Sequence, residues 1–338
     1  MRDHQPTDPL HDVFSQIHMP WPIRRHPQAA EYEQLAFKRA AHLGLLNKND
    51  QDTIRRFQCF VRLDASVYPY ATIDRLQAAG LFNQWLFFLD DQYDDHPELG
   101  RDIPAVRNLM ARSLEVLVTG KLPADPLPFD RLSVCLREQS QAICFPGWLP
   151  RFIRNVEEYL FHGSLVAMHF WNQGSVPDLV TYRAVRMLDS AVLAAIDIIE
   201  VAGAVVLPDA VHRHPLVTEL RELAAQHVAY VNDIASYQKE VLCHESPCNL
   251  IPVLMMKEDL CFEVAVRKAV DVINAVMMRF LKTEVALPSC GGDIDENLVA
   301  YVGGMKAWMR GNIDFALTSG RYLSPASPFL ELRPAANK

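Results

Sequence analysis

The sequence predicts an all-α protein, and three features carry that prediction. Apolar residues recur at helical spacing along nearly all of the 338 residues. Strand-like alternation of β-branched residues and tight hairpin signals are missing. Proline and glycine cluster between the periodic stretches, where they mark helix ends.

In chain order, the periodicity predicts helices over 28–46, 51–63, 73–95 and 104–119, the last ending before KLPADPLP at 121–128. A helix over 129–143 runs into FPGWLP at 145–150, and one over 150–173 into GSVP at 174–177. The next, 178–206, stops at VLPDAVHRHP (206–215) and is followed by 216–243, 249–256 and 260–283. After LPSCGG at 287–292, a last helix is expected over 294–319. Several of these are apolar nearly all round, the mark of inner helices surrounded by others. The most apolar stretch, AVLAAIDIIEVAGAVVL from Ala191, is interrupted by Asp197 and Glu200 and reads as a buried helix, not a membrane span.

Half the residues are apolar, enough for a substantial core. No Gly/Ser linker, repeat or low-complexity run divides the chain, so one domain over 1–338 is expected, with 1–25 and 324–338 peripheral. A net charge of -8 without a basic stripe argues against nucleic-acid binding as the main activity. Seven cysteines without a paired spacing pattern fit reduced thiols in a cytoplasmic protein. Cys243 and Cys248 lack the second ligand cluster of a zinc site. The first residues, MRDHQPTDPLHD, hold no signal-peptide core.

The chemistry concentrates in two places. FFLDDQYDDHPE, from Phe87, ends an apolar aromatic segment in four aspartates. On a helix Asp90 and Asp94 share a face, and Asp91 and Asp95 form a neighbouring pair. Carboxylates so close raise one another's pKa unless a cation sits among them, which a hard divalent metal answers. A solvated helix end is the plain alternative, although acidic charge opposes the dipole at a helix C-terminus. The second place is NDIASYQKE, where Asn232, Ser236 and Glu240 line one helical face with an amide, a hydroxyl and a carboxylate. Such oxygen ligands suit magnesium, which completes its shell with water and substrate phosphates. Lys239 adds a positive charge beside them.

An aspartate-rich motif followed some 140 residues later by Asn-Asp-x-x-Ser-x-x-Lys-Glu resembles the class I terpene synthases, particularly the microbial terpene cyclases. The resemblance covers most of the chain, including NLIPVLMMKEDLCFEVAVRKAV after the second motif, and is weak over the first 50 residues. It implies a helical bundle whose two motifs hold three magnesium ions, with manganese as a substitute, around the diphosphate of a linear prenyl substrate. Asp90 would lead the first metal site, supported by Asp91 and Asp94; Asn232, Ser236 and Glu240 would form the second. Arg186, 46 residues before Asn232, matches the family's diphosphate sensor. Asp189 matches its linker residue, and Ser190 stands where the effector residue is often glycine, at a helix break. WMRGNIDFALTSGRY matches the terminal helix, with Arg321 and Tyr322 as the Arg-Tyr pair that meets diphosphate oxygens. WPIRRHPQA, from Trp21, sits where an N-terminal strand closes over the site.

The expected enzyme is a lyase: diphosphate leaves as the chain becomes an allylic cation, stabilised by Arg186, Lys239, Arg321 and Tyr322 on one side and by the rings of Phe87 and Trp308 on the other. No dedicated base stands out; His162, His169 and His227 read as satisfied core or surface histidines, and the final proton goes to the diphosphate. A C15 farnesyl substrate is expected first and C20 geranylgeranyl next, with the protein a monomer or homodimer free of nucleic acid and membrane insertion. A prenyl diphosphate hydrolase is one alternative. A chain-elongating prenyltransferase is the other, but it carries a second Asp-rich motif that this chain lacks.

Overall fold

The computed structural model describes residues 9–46, 51–94, 97–318 and 322, and every regular element among them is a helix. In chain order these are α1 (Pro9–Ser15), α2 (Ala29–Leu43), α3 (Gln51–Val67), α4 (Ile73–Asp94), α5 (Pro97–Arg101), α6 (Ile103–Thr119), α7 (Pro128–Ile143) and α8 (Trp148–Glu157). There follow α9 (Leu165–Gln173), α10 (Leu179–Asp189), α11 (Val192–Gly203), α12 (Asp209–His212), α13 (Pro215–Tyr237), α14 (Leu250–Glu258), α15 (Phe262–Val285) and α16 (Gly292–Thr318). Two π-helical segments, Glu158–Ser164 and Gln238–Cys243, join α8 to α9 and extend α13. Among the described residues no helix is long and apolar enough to cross a membrane.

The apolar stretch after Ala191 is the inner helix its composition predicts. From Val192 to Ala202 every residue of α11 except Leu193 is buried, and α4, α8, α13 and α16 pack around it. Each aliphatic side chain withdrawn from water there contributes about 1.5–3 kcal/mol. Outside this centre, α13 packs on α15, and α16 packs on α3 and α13. The helices that touch α11 and α16 thus enclose a space whose walls come from many parts of the chain.

Three differences from the sequence expectation matter for that space. The helix expected over 178–206 is two helices, broken at Ser190 and Ala191, where Ala191 adopts a left-handed φ of 57°. An L-residue in that conformation costs about 1–2 kcal/mol, which surrounding packing must outweigh. The packing partner is Gly163, in the π-helical segment after α8: a Cβ there would lie 2.4 Å from the Asp189 backbone nitrogen. Only glycine lets the end of α10 approach so closely. Second, α1, α5 and α12 are short helices inside stretches whose prolines and polarity suggested loop. Third, the WPIRRHPQA segment is irregular, not a strand, and docks on the C-terminal end of α3 and on α15 and α16. His26 donates its backbone N–H to Ala65 O at 2.8 Å, Arg25 pairs with Asp314 at 2.8 Å, and Trp21 meets Phe280 edge-on.

Candidate active site

The site begins with caps that set helix phase. Asp178 caps α10 by accepting from the backbone N–H groups of Val180 (2.9 Å) and Thr181 (3.0 Å), which fixes where Arg186, two turns on, projects. His214 caps α13 from its side chain, with Pro215 at the first helical position. Asn249 caps α14 at Ile251 N (3.0 Å) and donates to the Asp233 backbone carbonyl (2.9 Å), tying α14 to α13 behind the site.

Arg186 is buried at the meeting of these helices. Its Nε donates to Asp233 at 2.6 Å, and its two terminal nitrogens donate to Asp189 at 3.1 Å and to Asn232 Oδ1 at 2.7 Å. Asp233 is further held by the Tyr182 hydroxyl and by the Leu250 backbone N–H at 2.7 Å. Asn232 passes the chain on, donating from Nδ2 to the Tyr322 hydroxyl at 2.7 Å. Asp189 also accepts from Ser164 Oγ at 2.8 Å, and Asp90 accepts from the Tyr159 hydroxyl at 2.8 Å.

The charges do not balance. Burial works against the Arg186 guanidinium, but Asp233, Asp189 and Glu240 outweigh it and hold its pKa well above the ordinary value. One arginine cannot do the same for three acids. Burial, the largest influence on each, pushes Asp189, Asp233 and Glu240 above the usual carboxylate range despite Arg186. Beside them the buried Ser236 hydroxyl meets Glu240 and favours its ionised form. Surplus carboxylate, an amide oxygen and a buried hydroxyl are hard oxygen donors, and they fit a divalent cation such as magnesium.

A cavity opens directly beside this network. Phe87, Asp90, Arg186, Asp189, Ser190, Asn232, Glu240, Trp308 and Tyr322 all line it, so nine of the residues singled out in the sequence share one space. Ser236 lies buried beneath the surface and Lys239 sits in the second π-helical segment; neither lines the cavity. Arg321 falls outside the described residues, as do the side chains of Asp91 and Asp94. The WPIRRHPQA segment lines none of the cavity. Its remaining walls mix apolar and aromatic residues, Leu63, Leu86, Val228, Trp171 and Phe315 among them, with the polar Asn83, Ser164, His244, Ser246 and Asn312. Phe87 stacks on Phe60 at 4.1 Å between ring centroids and tilts toward Phe315 at 6.2 Å.

A family profile described as terpene synthase family 2, C-terminal metal binding, matches residues 81–279. The 10-epi-cubebol synthase of Sorangium cellulosum is 31% identical over 300 residues, 89% of this chain and 95% of that protein. The chain belongs to terpene synthase family 2. It is therefore an enzyme of the terpene cyclase type, from a family whose description includes metal binding. A (+)-T-muurolol synthase from Roseiflexus castenholzii is 30% identical across 88% of this chain and 90% of its own. The solved germacradien-4-ol synthase of Streptomyces citricolor superimposes with a TM-score of 0.74 at 24% identity, covering 89% of this chain and 97% of that one, and speaks for the fold alone.

In this terpene synthase several residues of the site escaped the sequence reading. Asp233 was in plain view, next to Asn232 in the quoted motif, yet nothing in its spacing marks it as the brace of Arg186. Tyr159, Gly163 and Ser164 all come from the first π-helical segment. π-Turns inside helices favour functional sites, but they leave no simple period to read. One histidine expectation is corrected. His162 and His169 are exposed, but His227 is fully buried with both ring nitrogens unpartnered, and burial lowers its pKa to about 3. It is a core histidine, and it is not satisfied.

Proposed function

We propose that this chain, as one terpene synthase domain, binds a linear prenyl diphosphate through divalent metal and ionises it to a cyclic terpene and inorganic diphosphate. The observation that carries the reading is the lone buried guanidinium among Asp189, Asp233 and Glu240, set in the wall of an aromatic-lined cavity. The run of cavity-lining residues from Leu63 to Tyr322 supports the one-domain reading.

In this reading Asp90, with Asp91 and Asp94, and Asn232, Ser236 and Glu240 hold three magnesium ions, manganese substituting. Bound there, the metal would supply Lewis-acid charge to the departing diphosphate. Arg186 supplies a fixed share of its own. Three of its five N–H groups are engaged by Asp233, Asp189 and Asn232, which leaves two for diphosphate oxygens. Tyr322 and Arg321 meet further oxygens, and Lys239 adds charge from behind Glu240. The allylic carbon–oxygen bond breaks with its electron pair leaving on the diphosphate, and a distal double bond of the chain attacks the cation to close a ring. Phe87 and Trp308 face the cation with their rings, each contributing roughly 0.5–2 kcal/mol. Asp189 and Ser190, at the break before Ala191, transmit the anchoring of Arg186 to the cavity wall. The final proton goes to the diphosphate.

One observation favours the C15 chain over C20. The relative from Roseiflexus castenholzii is named as cyclising (2E,6E)-farnesyl diphosphate.

Incubation with C15 and C20 diphosphates, with magnesium and after chelation, tests the reading. Inorganic diphosphate and a cyclic hydrocarbon or alcohol should form from the C15 substrate, vanish on chelation and return with magnesium. Release of monophosphate, or of prenol alone, would instead identify a hydrolase.

A further inference from the structure

A second cavity lies beneath the candidate active site and takes no part in the chemistry above. It encloses about 430 Å³ between the Trp21–Arg24 stretch, the turn after α3, the C-terminal half of α11 and the middle of α16. Of the cations in its lining, Lys306 pairs with Glu284 and Arg24 lies over the Tyr70 ring, while Arg310 keeps a buried Nε without a hydrogen-bond partner.

The two cavities are stacked along the same three helices. Leu63 lines the first and Val67 the second on α3; Ala195 and Ile199 do so on α11; Trp308 and Gly304 do so on α16. Each pair is four residues apart, one helical turn or about 6 Å of rise. At this level the helices close tightly. A Cβ on Gly304 would lie 2.3 Å from Ile199 Cγ2, and one on Gly311 would lie 2.8 Å from Val67 Cγ1. What fills the remaining gap is a pair of rings. Tyr68, lining the second cavity, meets Trp308, lining the first, edge to face at 5.8 Å and 78°. The Tyr68 hydroxyl reaches back to the Ala195 carbonyl at 3.4 Å, so the ring spans from α16 to α11 across the boundary.

We propose that Tyr68, braced on Trp308, is the floor of the substrate cavity: it closes off the lower volume and so limits the length of prenyl chain the enzyme accepts. Trp308 touches the substrate; Tyr68 is a positioning residue that acts through it. The inference rests on the prenyl diphosphate reading and extends it to chain length.

The test compares kcat/KM for C20 and C15 diphosphates. Tyr68→Ala removes the ring, and Tyr68→Leu covers the case in which the alanine variant does not fold. Either should raise the C20-to-C15 ratio by about tenfold or more, the scale of discrimination set by added methylenes in an apolar pocket. Tyr68→Phe keeps the ring and should keep the parent ratio. Gly303 lines the second cavity and a Cβ there would meet nothing within 4 Å, so adding Gly303→Leu to the alanine or leucine variant should fill the lower space and restore the parent ratio. An unchanged ratio in a folded Tyr68→Ala or Tyr68→Leu protein, an equal rise in Tyr68→Phe, or no reversal by Gly303→Leu overturns the floor. A parent that releases diphosphate from neither chain overturns the functional reading instead. Crystals under xenon separate the two failures: density merging into one continuous site in Tyr68→Ala upholds the partition, and density remaining in two sites removes it.

Discussion

Of two buried ion networks among the described residues, one lies on helices beside α11 and the other on α11 and its neighbours, and their charge balance differs. In the first, Arg186 faces Asp189, Asp233 and Glu240, with Lys239 acting on Glu240, and burial still raises the pKa of all three acids. In the second, Asp197 accepts from Arg151 at 3.1 Å, Arg221 at 2.8 Å and Asn155 at 2.5 Å, while Glu200 takes Arg151 and His212. Burial again works to raise Asp197, but Arg221 and Arg151 outweigh it and bring its pKa below the usual value. Two arginines meet two acids, so the charges balance, although Arg151 Nη1 and His212 Nδ1 stay buried without hydrogen-bond partners. The second network lines neither cavity described above and joins α8, α11 and α13 like a clamp; the first opens on a cavity and carries more acid than base. In the proposed reading the unbalanced network receives a cation, while the balanced one holds helices together.

Substitutions at four positions break or sharpen this contrast, from the largest effect to the smallest. Asp90→Ala should reduce turnover a thousandfold or more, since metal-borne charge on a leaving group is worth several kcal/mol. Its circular dichroism should match the parent. Near-parent turnover would remove Asp90 from the metal site.

Arg221→Met should do the opposite. Removing one partner of a buried pair costs about 3–5 kcal/mol, read as a lower midpoint in urea unfolding, while the protein that remains folded keeps its rate per active site. A variant as stable as the parent would show that the clamp contributes nothing.

Arg186→Ala comes next. Loss of one preorganised charge donor costs on the order of 100-fold in rate, and Arg186→Lys should recover only part, because an ammonium lacks the planar fork. Parent-like rates in both variants would dismiss Arg186 as the diphosphate contact.

The smallest effect concerns His227. Its folded pKa of about 3 is depressed below the unfolded value of about 6.5. The unfolded chain therefore binds the extra proton first, so the neutral ring's contribution is intact above about pH 6.5 and is lost as pH falls toward 3. His227→Leu should remove up to about 1.4 kcal/mol of acid sensitivity per pH unit in that window. The measurement is the difference in unfolding free energy between parent and variant at pH 7 and pH 5. Equal slopes in the two proteins would show that His227 is protonated without cost in the folded state.

The sequence by itself determined the helices and the order of the chemistry along them. Helical period and the Pro and Gly breaks are local properties, so α2, α4, α7, α15 and α16 fall close to where the pattern puts them. The motifs around Asp90, Arg186 and Asn232 are equally local, because residues four apart share a face in any helix. What the pattern missed depends on contacts far apart in sequence. Ala191 takes its left-handed turn because α10 docks on Gly163, and helical spacing around residue 163 continues unbroken through the π-turns. Asp233 reads as one more acid until α10 and α14 close on it with Arg186, Tyr182 and Leu250. Asp197 and Glu200 look as well suited to function as Asp189 and Glu240. Their partners, Arg151 and Arg221, come from other helices, and only packing shows that one set of acids is neutralised and the other is not. Net charge at a buried point is a sum over every chain segment that reaches it, and that sum exists only in the tertiary structure.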